Sequence, residues 1–255
     1  HASTMPGHTP AQATHANYSS AGTQEPNMRF ESFDFAPEIL RAISDCGYQE
    51  MTPVQSQAIP AIRRGRDVLA SAQTGTGKTA AFALPILQRL VDNPAPVQPS
   101  NARVLILTPT RELAAQVASN INDFAKYLDI TTLTIVGGGK QDVQAKKLKA
   151  GAHIIVATPG RLLEYIEKEE FESHDIEVLV LDEADRMLDM GFIKDVNRIV
   201  EEARYRKHTM LFSATLEGAG LEKFASEILK DPVELHAEPP RSERRPITQW
   251  IHLAD

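Results

Sequence analysis

The sequence contains one cysteine, few aromatic residues and no long hydrophobic run. Because a disulfide needs two cysteines, Cys46 cannot form one within the chain, and its apolar surroundings predict a small buried side chain. The longest apolar run, Ala80 to Leu87, is interrupted by Pro85 and is far shorter than the ~18 residues that a membrane helix needs. No charged and apolar leader precedes a small-residue cleavage site. We therefore expect a cytoplasmic protein with no membrane partner.

Basic residues are outnumbered by acidic ones. The 255 residues include 27 Lys and Arg against 34 Asp and Glu, which gives a net charge of -7 and argues at first against nucleic acid as a partner. The segment Glu164 to Glu177, however, contains seven acids and one lysine, so the rest of the chain carries a net charge of only -1. We interpret this acidic segment as a solvated face, and the whole-chain charge therefore excludes no RNA-binding site.

Composition divides the chain into three parts. Residues 1–29 are rich in Ala, Ser, Thr, His and Gln, which predicts a disordered tail, and His1 to Met5 looks like an expression remnant. Residues 30–237 have the composition of a folded domain. Residues 238–255 begin with a charged, proline-rich linker, after which Ile247 to Leu253 regains strand character. We interpret this last part as a linker and the start of a truncated second domain.

Short β-branched segments alternate with longer segments of helical spacing in the central part. The predicted strands are Asp67–Ala72, Arg103–Thr108, Thr131–Val136, His153–Ala157, Glu177–Asp182 and His208–Ser213. The predicted helices are Lys78–Val91, Arg111–Tyr127, Val143–Ala150, Arg161–Lys168, Ile193–Ala203 and Leu221–Leu229. This alternation predicts an α/β fold, a parallel sheet with helices on both faces, whose ligands bind at the carboxyl ends of the strands.

A phosphate-binding loop follows the first predicted strand and opens the first predicted helix. Its residues are Ala72, Gln73, Thr74, Gly75, Thr76, Gly77, Lys78 and Thr79. The glycines let backbone N–H groups curl around phosphate oxygens, Lys78 reaches the β- and γ-phosphates, and Thr79 binds magnesium. Ala72 stands where the general pattern has glycine, which is tolerable only if its φ is not positive.

An acidic motif ends the most hydrophobic strand. The run Val178 to Leu181 leads into Asp182 and Glu183, which is the Walker-B arrangement. Asp182 is predicted to lie near the magnesium ion held by Thr79, and Glu183 to orient the attacking water as general base. Lys78, Asp182 and Glu183 are therefore the candidate catalytic residues. For Asp185 alone, the preference of helix N-termini for acids is an equally good explanation.

The residues Asp182 to Asp185 spell Asp-Glu-Ala-Asp, and the chain resembles the N-terminal half of a DEAD-box RNA helicase from Phe30 to about His236. Five further segments resemble motifs of this family in the family's order: the Q motif at Gly47–Gln55, motif Ia at Pro109–Ala114, the paired glycines at Gly137–Gly138, motif Ib at Thr158–Arg161 and motif III at Ser213–Thr215. A narrower resemblance is to the bacterial subgroup involved in assembly of the large ribosomal subunit. The resemblance implies a RecA-like P-loop NTPase domain that uses ATP or ADP and Mg²⁺.

The resemblance also assigns roles to residues. It implies that Gln55 reads the adenine edge and that Phe30 stacks on the base, although Phe30 taken alone is typical of a core residue. The implied coupling residues are Asp185, Ser213 and Thr215. The implied RNA-binding residues are Pro109, Thr110, Arg111, Gly137, Gly138, Thr158, Pro159, Gly160 and Arg161.

These RNA-binding candidates share one chemistry. They follow predicted strands and offer backbone N–H groups, small side chains or guanidinium groups, which suit phosphate oxygens and leave base edges unread. Sequence-independent binding of single-stranded RNA follows. The alternative for Arg111 and Arg161 is an internal salt bridge.

The predicted function is that of the ATP-binding domain of an ATP-dependent RNA helicase, with RNA, a second RecA-like domain and ribosomal assembly particles as partners. Two other classes stay open: another P-loop ATPase such as a DNA translocase, and a non-catalytic interaction module with the same fold. Gln55 and the Ser213–Thr215 motif favour the helicase over the first, and intact Lys78 and Glu183 favour it over the second.

Overall fold

The computed structural model describes residues 28–237, which form one parallel sheet covered by helices. The strands are β1 (Val68–Ser71), β2 (Val104–Leu107), β3 (Thr132–Ile135), β4 (Ile154–Ala157), β5 (Val178–Asp182), β6 (His208–Ser213) and β7 (Val233–His236). The helices are α1 (Pro37–Asp45), α2 (Pro53–Arg63), α3 (Lys78–Asp92), α4 (Arg111–Phe124), α5 (Gln141–Ala150), α6 (Pro159–Glu167), α7 (Ala184–Asp189), α8 (Ile193–Glu202) and α9 (Ala219–Ile228). No helix within the described range has the length and apolar character that a membrane crossing requires.

The strands lie in the order β3-β4-β2-β5-β6-β1-β7, and every adjacent pair is parallel. Since β1 and β2 are consecutive in the chain but separated by β5 and β6, the sheet has a switch point at its centre, where ligands of such folds bind. The carboxyl ends of all seven strands face the same edge, called here the strand-end edge.

Two hydrophobic clusters cover the two faces of the sheet. In β2, Val104 and Ile106 join the cluster under α1 to α4, whereas Leu105 and Leu107 join the cluster under α5 to α9. Because the four residues of β2 are all fully buried, both faces are used, as in other parallel sheets. The predicted α/β architecture is confirmed.

The predicted elements agree with the observed ones to within three residues at each end. The prediction omitted β7, α1, α2 and α7. α2 contains Pro60 in its interior and α7 has only six residues, so neither shows a long uninterrupted helical period. β7 has only four residues, follows Pro232 and alternates apolar and charged residues at the edge of the sheet.

The prediction that Cys46 is buried is wrong. It follows the last residue of α1, where the chain turns away from the core at Gly47, and its side chain is exposed. The acidic segment is exposed as predicted up to Asp175, but Glu177 is half-buried between Arg89 and Arg103. The predicted tail, except for Met28 and Arg29, and residues 238–255 lie outside the described residues.

Candidate nucleotide and RNA sites at the strand ends

The strand-end edge divides the predicted motifs into two groups. The phosphate-binding loop, the acidic motif and the Ser213–Thr215 motif follow β1, β5 and β6, which are neighbours. The three RNA-binding candidate segments follow β2, β4 and β3, which are neighbours on the other half of the sheet. The strand order therefore produces two adjoining sites, which meet at β2 and β5.

The phosphate-binding loop has the backbone that its sequence predicts. Gly75 and Gly77 have φ values of 87° and 78°, a region that other residues enter at a cost, whereas Ala72 is not among the residues with positive φ. A Cβ atom on Gly77 would lie 2.4 Å from Gln55 Nε2. Thr76 closes the loop by donating its hydroxyl to the Gln73 carbonyl at 2.6 Å. Because the φ of Ala72 is not positive, alanine fits this position of the loop without backbone strain.

Four charged side chains meet where this loop faces β5. Lys78 Nζ lies 2.9 Å from Asp182 Oδ1 and 3.7 Å from Glu183 Oε1, while Arg186 Nη1 lies 3.6 Å from Glu183 Oε2. Burial raises the pKa of Asp182 above its usual value, an effect that the Lys78 ammonium opposes. Glu183 has a left-handed backbone with φ of 58°, an unfavourable conformation for a non-glycine residue, at the turn from β5 into α7.

Gln55 uses one acceptor site and one donor of its amide within the protein, which leaves one of each for a ligand. Its Oε1 accepts a hydrogen bond from Thr52 N at 3.0 Å, and its backbone N donates to Thr52 Oγ1 at 3.4 Å, which forms a capping box at the start of α2. Its Nε2 donates to the Gly77 carbonyl at 3.1 Å, and the residue is 2% exposed. Gln55 therefore connects the Q-motif segment to the phosphate-binding loop, and it lines the cavity beside that loop.

The aromatic ring at this cavity belongs to Tyr48, and the expectation that Phe30 presents its ring there does not agree with the structure. Phe30 is 2% exposed and packs behind Tyr48, with ring centroids 6.4 Å apart. A ring buried to that degree offers no free face to a ligand. Tyr48 is 48% exposed, lines the cavity and is supported from below by Phe124 at 6.1 Å.

Helix α4 forms a wall of the cavity that the sequence reasoning missed. The cavity has a volume of about 330 Å³. Its α4 residues recur at helical spacing: Leu113, Gln116, Val117, Asn120 and Phe124. Gln116 and Asn120 thus bring two amide side chains between the phosphate-binding loop and Tyr48. The helical spacing was visible in the sequence, but only the packing of α4 beside α3 shows which residues reach the cavity.

The RNA-binding candidates lie together on the other half of the edge. Thr110 caps α4 by accepting a hydrogen bond from Leu113 N at 3.3 Å, and Arg111, exposed, lies with Nη1 3.5 Å from the Gly137 carbonyl. A Cβ atom on Gly138 would lie 2.2 Å from that same Nη1, so the glycine leaves room for the guanidinium group. Motif Ia is therefore in direct contact with the paired glycines, through the Arg111 guanidinium group.

Motif Ib forms the start of α6. Thr158 precedes the helix, Pro159 occupies its first turn and is buried, and Gly160 is exposed with open space where a Cβ would be. Arg161 pairs with Glu164 at 3.3 Å, so the internal salt bridge is realised for Arg161. Within residues 28–237 Arg111 forms no such pair with a carboxylate. Pro109 is buried beneath the start of α4.

The coupling candidates lie at the ends of β5 and β6. Ser213 is buried and donates its hydroxyl to the Thr215 carbonyl at 2.6 Å, while Thr215 Oγ1 accepts from Glu217 N at 3.2 Å. Asp185 Oδ1 is buried and has no hydrogen-bond partner within the described part of the chain. Asp185 Oδ1 therefore forms no hydrogen bond to the Ser213–Thr215 motif.

Comparison with known proteins gives the family. The model of the DEAD/DEAH box helicase family matches residues 52–224. The chain belongs to the DEAD/DEAH box helicase family. Among curated relatives of this family, the ATP-dependent RNA helicases SrmB of Haemophilus influenzae and Escherichia coli are 50% and 48% identical over 227 and 226 residues. Both alignments cover 89% of this chain, and they cover 52% and 51% of the relatives.

Solved structures of this family share the fold. A DEAD box protein from Methanococcus jannaschii superposes with a TM-score of 0.76 at 36% identity, over 83% of this chain and 56% of that one. A hypothetical ATP-dependent RNA helicase from Sulfolobus tokodaii gives 0.72 at 38% identity, over 78% and 56%. The DEAD/DEAH box chain described here therefore has a RecA-like domain and spans about half the length of the curated relatives it matches.

Proposed function

We propose that this chain is the ATP-binding domain of an ATP-dependent RNA helicase that hydrolyses ATP to remodel short RNA duplexes or RNA–protein complexes. The observation that carries the proposal is the 2.9 Å contact between Lys78 and Asp182, which joins the phosphate-binding loop to the DEAD motif in one buried site. A phosphate-binding lysine beside a buried carboxylate is the arrangement that phosphoryl transfer requires.

The nucleotide occupies the half of the edge formed by β1, β5 and β6. The backbone of residues 72–79 surrounds the phosphates, and Lys78 turns from Asp182 to the β- and γ-phosphates when they arrive. Gln55 reads the adenine edge, and the exposed ring of Tyr48 is the stacking surface, in place of Phe30. Glu183, beside this cavity, orients the attacking water and accepts its proton.

The residues at this site fit magnesium. Mg²⁺ in such sites is held by one or two carboxylates together with the substrate phosphates rather than by a cage of protein ligands. Thr79 and Asp182 line the same cavity beside the phosphate-binding loop, so a hydroxyl and a carboxylate are available there together. Asp182, partly through water, and Thr79 would hold the ion, and the bound ion would neutralise charge that develops on the phosphate oxygens.

RNA binds along the half formed by β2, β4 and β3. Thr110, Gly138 and Gly160 offer small side chains and backbone N–H groups, and the exposed Arg111 offers its guanidinium group to phosphates. Arg161 does so when RNA displaces its pair with Glu164. Because these groups reach the backbone rather than base edges, the binding is independent of sequence. Asp185, Ser213 and Thr215 lie at the ends of β5 and β6 in the nucleotide half and couple it to the RNA half through a rearrangement of their hydrogen bonds.

A second RecA-like domain completes the enzyme in our proposal. Phosphoryl transfer of this kind gains about 10³ to 10⁵ in rate from an arginine finger, and we assign that arginine to a second domain. The domain described here then extends over residues 30–237, and residues 238–255 are the linker and the start of the second domain. The named SrmB relatives support an RNA substrate, and we extend the proposal to ribosome assembly particles in the cytoplasm.

Nucleotide selectivity tests this proposal. The chain should bind fluorescent ADP in the presence of Mg²⁺ and prefer it to GDP, and Gln55→Ala should remove that preference. Lys78→Ala should remove binding of both nucleotides. The chain alone should hydrolyse ATP slowly and should not unwind RNA. Equal affinity for ADP and GDP, or robust duplex unwinding by these 255 residues, contradicts the proposal.

A further inference from the structure

We propose that the outer face of α5 is an additional binding surface for the phosphate backbone of RNA. It extends the proposed RNA path over the ends of β2, β4 and β3, called here the groove, beyond the edge of the sheet. The surface consists of Lys140, Val143, Lys146 and Lys147 and is called here the α5 basic face. This inference rests on the proposed function, since it assumes that RNA crosses the ends of β2, β4 and β3.

The α5 basic face is one side of the helix. Lys140, Val143 and Lys146 recur every three residues, and Lys147 follows Lys146, so the four side chains lie on one side of the helix. The only buried residue of α5, Leu148, lies on the opposite side. All four are exposed, and Val143 is 48% exposed. A helix with three lysines around an exposed aliphatic residue can offer charge to phosphates and apolar contact to sugars.

The lysines of this face are not used within the protein. Among the residues that the structure describes, none of the three forms an ion pair, whereas arginines elsewhere, such as Arg89, Arg103 and Arg198, each contact a carboxylate. The only acid on α5 is Asp142, in its first turn. Within residues 28–237, the exposed Lys194, Lys223 and Lys230 form no ion pair either, but they are spread over α8, α9 and the chain after it. The three lysines of the α5 basic face lie within eight residues of one another, so together they attract an anion.

The position of α5 selects RNA as the anion. β3 is one of the two edge strands, and α5 follows it directly after the loop that contains Gly137 and Gly138. Gln144 Nε2 donates to the Val136 carbonyl at 2.8 Å, and the Tyr165 hydroxyl donates to the Gln141 carbonyl at 3.2 Å, so the start of α5 is held against β3 and α6. An RNA strand that leaves the groove past β3 therefore meets the α5 basic face, which is held in place by these two hydrogen bonds.

The consequence is a dependence on RNA length and salt. At 1.5 Å rise per residue the face is about 10 Å long, so it contacts phosphates that lie outside the groove. The affinity for a uridine hexamer, which fills only the groove, should not depend on the α5 basic face. The affinity for an oligouridine about three times longer should depend on it. Each neutralised phosphate adds about 0.7 to the slope of log affinity against log salt for single strands.

The test is an anisotropy titration of both oligouridines at several salt concentrations with the 255-residue chain. The triple variant Lys140→Gln/Lys146→Gln/Lys147→Gln should bind the hexamer as the wild type does but lose about 2 from the salt slope of the longer RNA. The control is a triple variant with the same charge change, Lys194→Gln/Lys223→Gln/Lys230→Gln, whose exposed lysines lie on or after α8 and α9. It should leave both slopes unchanged.

The outcomes separate this inference from the proposed function. If both triple variants behave as the wild type while Arg161→Ala weakens the hexamer, RNA binds in the groove but the α5 basic face does not contribute, and the inference is wrong. Equal losses in the two triple variants also overturn it, since the effect is then one of net charge. If the wild type binds neither RNA at low salt, both the inference and the proposed RNA site fail.

Discussion

Removal of Lys78 should destabilise the nucleotide-free protein, because its ammonium group compensates the buried Asp182 carboxylate and, together with Arg186, that of Glu183. Asp182 and Glu183 are 1% and 8% exposed, and Lys78 Nζ lies 2.9 Å and 3.7 Å from their oxygens. Removing one partner from a buried pair costs about 3 to 5 kcal/mol. We expect Lys78→Ala to lose about 3 kcal/mol near neutral pH, the lower end, because a buried Asp182 can take up a proton. For a domain of this size, that loss lowers Tm by about 6 to 12 °C.

The loss should depend on pH in one direction. The pKa of Asp182 is raised in the folded protein, so its favourable contribution is fully present below the unfolded pKa and is lost as pH rises through the folded pKa. Without Lys78 the ionised form is less favourable still. The difference in Tm between wild type and Lys78→Ala should therefore be small in acid and grow towards neutral pH.

Thermal unfolding monitored by circular dichroism, without nucleotide, measures this effect. Asp182→Asn in the Lys78→Ala background should recover much of the lost stability, since it removes the uncompensated charge. Lys194→Ala, an exposed control, should change little. A Lys78→Ala variant as stable as the wild type at all pH values, or no recovery in the double variant, refutes the reasoning.

Three further predictions follow from single contacts. Tyr48→Ala should weaken ADP binding about tenfold with little change in Tm, whereas Phe30→Ala should cost about 3 to 5 kcal/mol of stability. ADP titration measures the first effect and thermal unfolding the second. The reverse pattern would show that Phe30 is the stacking ring. Asp67→Ala should cost about 3 kcal/mol in a urea titration, because Asp67 accepts from two backbone N–H groups, those of Thr209 at 2.9 Å and Lys230 at 2.7 Å; a loss below about 1 kcal/mol contradicts this. Burial alone raises the pKa of Glu177, but hydrogen bonds and charges from two arginines lower it overall. The stabilisation from Glu177 is therefore present above its unfolded pKa and is lost as pH falls through its folded pKa. Glu177→Gln should reduce the fall of Tm in acid, and a Tm that falls in acid as in the wild type counts against this ion pair.

Contiguous motifs were predictable from the sequence because their chemistry is local. The phosphate-binding loop needs glycines, a lysine and a threonine in one turn, and the structure gives Gly75 and Gly77 the positive φ that this turn requires. The strands were equally clear, because a strand buried on both faces is a continuous apolar run, as Val104 to Leu107 shows. Such features are determined by residues that lie within a few positions of one another in the sequence.

Features made by packing were not predictable in this way. Gln116 and Asn120 reach the cavity only because α4 packs beside α3, and Tyr48 rather than Phe30 lines it because Phe30 packs behind it. The exposure of Cys46 depends on where α1 ends, and helix ends are the least certain part of a pattern. These relations involve residues far apart in the chain, which a periodic pattern does not relate.

The proposed division of the strand-end edge into a nucleotide half and an RNA half can be tested directly by amide NMR. Titration of the chain with Mg²⁺ and ADP should shift amides of residues 72–79 and of Gln55, Asp182 and Glu183. Titration with oligouridine should instead shift Arg111, Gly138 and residues 158–161. Larger shifts of the phosphate-binding loop with RNA than with Mg²⁺ and ADP, or of Gly138 and residues 158–161 with ADP than with RNA, would contradict two separate sites on one edge.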